Sequence, residues 1–230
     1  MKVALILLSR AKYAWRILWG GYLIAIAVIA ALIAAGCLIL PMVLRAPGFY
    51  QVKVAFIFVL PLLAIALSAG LFADDFSEGT FAHHFSYPYS EVLVFAERIT
   101  VAALLLVIYE AALLWAIDRW VITLSAAQLA YIIKHSLGVN MFVSGLAALG
   151  SLLGRNMTVG LGVGATVWLL EYFMSSMPLN RYYLFQAVWP VSRFADQSHN
   201  AIALFVSAGI LLFCCLFLLR RGRGWLVRKQ

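Results

Sequence analysis

Few residues in this chain could carry chemistry. Its 230 residues include 9 Asp and Glu, 4 His and 3 Cys, against 65% hydrophobic residues. Glu110 and Glu171 are single acids inside apolar runs, where a charge is costly. They could line a cavity that accepts a cationic or amphipathic molecule; the simpler alternative is an interhelical hydrogen bond or snorkelling to an interface. Glu97 and Arg98 are adjacent in another apolar run and must either pair with neighbours or reach an interface. His83 and His84 are consecutive, so on a helix they point roughly 100° apart and do not make a metal site alone. His135 and His199 are isolated. Cys37, Cys214 and Cys215 lie in apolar runs without a CxxC pair, which argues against a disulfide framework or zinc. There is no Gly-x-x-x-x-Gly-Lys-Ser/Thr phosphate loop, so this chain cannot hydrolyse ATP by that route. No Ser/His or paired-Asp constellation is visible at one depth. No catalytic residue and no metal ligand is assigned.

The elements that position these residues are set by hydropathy. Only 11% of residues are charged and the mean hydropathy is +1.00, whereas a soluble domain is about a quarter charged. A water-soluble enzyme is therefore excluded. The apolar residues fall in blocks that predict an all-α, polytopic membrane protein: one transmembrane domain over 1–230 with six spans at about 19–43, 52–72, 92–116, 136–154, 156–174 and 198–219. At roughly 20 residues per crossing, little remains for a separate soluble domain. Residues 2–16 gather Lys2, Arg10, Lys12 and Arg16 on one side and apolar residues on the other, the pattern of an interfacial helix; the alternative is a basic flank of span one. Residues 121–135, with Gln128, Lys134 and His135, are ambiguous between a span, a re-entrant piece and an interfacial helix. Glycines at 150, 154, 160 and 164 have the spacing that lets helices approach closely.

The net charge of +8 comes from basic residues at the edges of apolar blocks, so it sets orientation rather than binding nucleic acid. With the N-terminus inside, 11 Lys and Arg face the inner side and 6 the outer. This predicts both termini in the cytoplasm of a cell inner or plasma membrane. Glu110 then lies about 12 Å below the outer edge at Asp118, and Glu171 near the outer end of span five.

The most polar stretch runs from Asp74 to Glu91, on the cytoplasmic side. Gly79 breaks the helix leaving span two. Thr80 can cap a short new helix. Phe81 and Phe85, four residues apart, share a face of it. Pro88 stops it, and Ser90 can cap span three. So short a helix needs a surface to dock on.

Glu78-Gly79-Thr80, then Tyr87-Pro88-Tyr89-Ser90, then Arg98, resembles the cytoplasmic loop of ABC-2 type permeases, the membrane subunits of ATP-binding-cassette exporters. The layout of spans, the interfacial helix and the long outer loop before span six resemble that family as well. Glu91 departs from it, standing where a basic residue is common. The resemblance implies a transport subunit, not an enzyme, that exports an amphipathic molecule such as a peptide, antibiotic, lipid-like or drug-like compound. It implies a separate ATPase partner that carries ATP and Mg, a second permease chain, identical or homologous, and no cofactor in this chain. It implies a coupling helix docked on the ATPase through Asp75, Glu78, Gly79, Thr80, Phe81, His84, Phe85 and Pro88, with Arg98 opening the third span. A haem-exporter-like subunit of cytochrome maturation shares the acidic loop and stays as an alternative, as does a non-catalytic scaffold or sensor subunit.

Overall fold

A computed structural model describes residues 28–36, 39, 48–72, 91–173, 184–185, 187–188 and 197–221. The interfacial helix expected at 2–16 and the loop 74–90 lie outside these residues, as does most of the first expected span. Every regular element among the described residues is helical. That is the solution open to long apolar segments, because a helix satisfies its backbone groups without water. The elements are α1 (28–36), α2 (Phe49–Phe72), α3 (Glu91–Trp120), α4 (Ala126–Gly154), α5 (Met157–Phe173) and α6 (Gln197–Arg221).

Four of these helices are long and apolar enough to cross a membrane: α2, α3, α4 and the Asn200–Arg221 part of α6. Helix α5 has 17 apolar-rich residues, about 26 Å at 1.5 Å per residue, near the lower limit for a crossing. Large apolar side chains such as Leu104, Ile108, Phe173, Ile210 and Phe213 point outward. This surface suits hydrocarbon rather than water.

Helix α2 is the most enclosed. Phe56, Ile57 and Leu60 are fully buried, and α2 packs on α4, α5 and α3. An irregularity inside it follows from Pro61. In a regular helix the proline ring would strike the carbonyl four residues earlier, and its nitrogen has no proton to donate. The preceding turn, Val54–Val59, is widened into π geometry, with the Leu60 N–H bonded to the Ala55 carbonyl. The Phe58 carbonyl in this turn accepts the Trp168 indole N–H of α5 at 2.9 Å. A neighbouring helix thus bonds a backbone carbonyl within the widened turn.

Helix α4 is the hub, packed against α6, α5 and α2. Ser125 starts it through a capping box: its hydroxyl accepts the Gln128 N–H at 3.3 Å, and the Gln128 side chain accepts the Ser125 N–H at 2.9 Å. Arg155 ends it in the left-handed region, at φ 50° and ψ 34°. Small residues let α5 lie close. A Cβ on Gly160 would collide with the Ser151 side chain and come within 2.5 Å of the Ala147 carbonyl.

The expected spans at 52–72, 92–116, 156–174 and 198–219 fall on α2, α3, α5 and α6. The span expected at 136–154 falls on α4, a helix that starts at Ala126. Lys134 is exposed while His135 and Ser136 are buried, so polar residues at 134–136 sit within one continuous helix. The ambiguous stretch 121–135 therefore resolves into a short link, 121–125, and the first turns of α4. The link is fastened by the Asp118 carboxylate, which accepts the Leu124 N–H at 2.7 Å.

Candidate ligand cavity and its flanking polar groups

Buried and half-buried polar side chains of α2 to α5 make contacts at three tiers along the bundle. The first tier is where α2 and α4 begin. Lys53 and Tyr131 both donate to the Ala187 carbonyl, at 3.3 and 3.0 Å. The Leu184 N–H donates to the Glu171 carboxylate at 3.3 Å. Phe185 is fully buried, with its ring 5.0 Å from Phe58 and 6.2 Å from Trp168. Residues 184–185 and 187–188 are thus strapped onto this end by α2, α4 and α5.

The middle tier holds Glu110. It is 4% exposed, and the Ser136 hydroxyl of α4 donates to its carboxylate. One turn further along α4 is Asn140, 0% exposed, whose Oδ1 and Nδ2 both lack a partner. Another turn on, the Ser144 hydroxyl donates to the Ala64 carbonyl at 3.5 Å. The spacing of four places all three on one face of α4. Next to this face is a cavity of about 220 Å³ between α2, α3, α4 and α6, with Ala64, Leu106, Asn140, Met141 and Leu212 among its walls. Leu106 is one turn from Glu110 on α3, so the acid flanks the cavity without lining it.

The third tier is where α2 ends and α3 begins. Arg98 Nη1 donates to the Leu71 carbonyl at 2.7 Å, one of the helix-end carbonyls that lack an intrahelical partner. Its guanidinium lies 5.1 Å from the centre of the Phe72 ring, and Phe72 stacks on Phe95 at 6.0 Å. A cation at a helix C-terminus is also favoured by the helix dipole.

Of the residues expected to couple to a partner, Asp75, Glu78, Gly79, Thr80, Phe81, His84, Phe85 and Pro88 lie outside the described residues; Arg98 is described. Of the two acids expected along a substrate path, Glu110 adjoins the cavity and Glu171 binds the turn at 184. Sequence reasoning passed over Asn140 and Ser136. Their signal was present as Ser136-x-x-x-Asn140-x-x-x-Ser144, a polar stripe in an apolar helix. Among the described residues no group of three His, Cys, Asp or Glu could hold a metal ion. The middle tier offers hydrogen bonding inside an apolar cavity, which is the chemistry of binding.

No family model, curated protein or solved structure matches this chain.

Proposed function

We propose that this chain is the membrane subunit of an ABC-2 type exporter. In this reading it makes six crossings with both termini in the cytoplasm and pairs with a second permease chain. It couples through the loop 74–91 to a separate ATPase that binds ATP and Mg. The cargo is an amphipathic molecule, and Glu110 stands beside its path.

The observation that carries the reading is the motif from Glu78 to Ser90 placed between α2 and α3, whose ends Arg98 joins. A lever between two helices transmits force only if both feet move with it. The Arg98–Leu71 hydrogen bond and the Phe72–Phe95 stack fix the end of α2 to the start of α3. A push on the loop therefore moves them together. The excess of Lys and Arg supports placing that end in the cytoplasm, where an ATPase is found.

The test is purification of the tagged chain from its native membrane. A phosphate-loop ATPase is expected to accompany it, and Phe85→Ala combined with Glu78→Ala should reduce recovery of that ATPase about tenfold, the effect of losing roughly 1.4 kcal/mol of binding. Wild-type protein without such an ATPase, or undiminished recovery with the double variant, overturns the reading. In the assembled transporter, Glu110→Gln should change export and leave ATPase recovery intact.

A further inference from the structure

We propose that the cavity between α2, α3, α4 and α6 binds a single alkyl chain bearing an uncharged amide-like group, admitted sideways from the bilayer. This goes beyond the exporter reading and needs no ATPase, so either proposal can fail while the other stands.

Asn140 sets the polar requirement. Its side chain is completely buried and neither amide atom has a partner. An unpaired amide in apolar surroundings costs on the order of 1–3 kcal/mol, and the hydrocarbon region supplies no water to relieve it. The neighbouring hydroxyls on α4 are already engaged, Ser136 with Glu110 and Ser144 with the Ala64 carbonyl; on α2, Ser68 also lines the cavity. Asn140 thus presents one donor group and one acceptor to the cavity. A ligand amide offers the complementary acceptor and donor together.

Size and charge narrow the class. About 220 Å³ exceeds the roughly 150 Å³ of an apolar cavity that holds benzene. It falls short of the roughly 300 Å³ at which pockets begin to hold drug-sized molecules. One alkyl chain fits this range; a bulky polycyclic compound does not. Among the described residues no ionisable side chain lines the cavity, so the group held there is neutral.

The mouth sets the route. Val107 and Met141 stand at the cavity on α3 and α4 and are 44% and 40% exposed. Leu104 and Ile108 flank Val107 on the same outward surface of α3. This surface lies mid-helix, at the depth of acyl chains, so the opening faces lipid and the ligand is one already dissolved in the bilayer.

The test uses the full chain in phosphatidylcholine nanodiscs and two photoprobes. One is decanamide carrying a chain diazirine and a terminal alkyne; the other is the matching hydrocarbon without the amide. Peptides covering 99–107 and 137–144 should be labelled about tenfold more by the amide probe, the effect expected of two neutral hydrogen bonds. Unlabelled decanamide should compete. Asn140→Leu should abolish the preference while hydrocarbon labelling persists. Ala103→Trp, at the exposed mouth, should block both probes, and it keeps the proposal testable if Asn140→Leu does not fold. Equal labelling by the two probes, or a preference that survives Asn140→Leu, overturns the proposal. Absent labelling together with efficient disulfide cross-linking of two Met141→Cys chains also overturns it, because a second copy then covers the opening.

Discussion

Ser136 keeps the Glu110 carboxylate from standing bare among apolar side chains. Removing one partner of a buried pair leaves the other desolvated and unpaired, a loss of about 1–3 kcal/mol. Ser136→Ala should therefore lower stability by that amount. Glu110→Gln keeps an acceptor for the hydroxyl and should cost less than Ser136→Ala. Thermal unfolding of the purified protein in detergent measures both; wild-type stability in Ser136→Ala would show that the bond contributes nothing. The acid itself was legible as the one charge between Arg98 and Asp118. Its partner was not, because a serine on an apolar helix can face a neighbour, the backbone or lipid, and only the packing of α3 on α4 decides which. The same holds for Glu171. Its depth could be read from the chain, but its attachment to the Leu184 N–H depends on where a distant loop returns.

Close approach between α4 and α5 rests on individual glycines, and the sequence spacing does not say which. Gly160 faces Ser151, whose hydroxyl reaches the Ala69 carbonyl at the end of α2 at 2.9 Å. A methyl group there must displace that serine. Gly160→Ala should destabilise by about 1–3 kcal/mol, the usual range for overpacking. Gly162 meets nothing within 4 Å, so Gly162→Ala should be neutral or slightly stabilising, since alanine is the better helix former. Equal effects of the two, measured by thermal unfolding, would refute the close contact. Helix positions were largely legible, because α2, α3, α5 and α6 are bounded by charge, Gly or Pro. The start of α4 was obscured by Lys134 and His135, although Ser125-x-x-Gln128 carried the capping signal. Pro61 was passed over in the sequence, and the widened turn that accommodates it shows only in the structure. The cavity could not be foreseen, since its walls come from four helices far apart in sequence.

At the scale of the whole molecule, the proposed orientation predicts which links face which side. In a chain with Cys37, Cys214 and Cys215 replaced by alanine, Thr123→Cys in the α3–α4 link should react with an impermeant maleimide on intact cells. Asn156→Cys, in the α4–α5 turn, should react only after permeabilisation. The reverse pattern would put the loop 74–91 on the wrong side for an ATPase. The distribution of apolarity between helices also bears on assembly. Helix α2 is 72% buried along its apolar stretch, with a mean hydropathy of 2.6, while the last helix is only 22% buried. Chains are made from the N-terminus, so α2 leaves the ribosome before α4, α5 and α6, the partners that will wrap it, have been translated. In the proposed membrane setting it must wait among lipid tails without those partners. Its apolar surface, hidden from lipid once the bundle has closed, is what allows the innermost helix to wait for its neighbours.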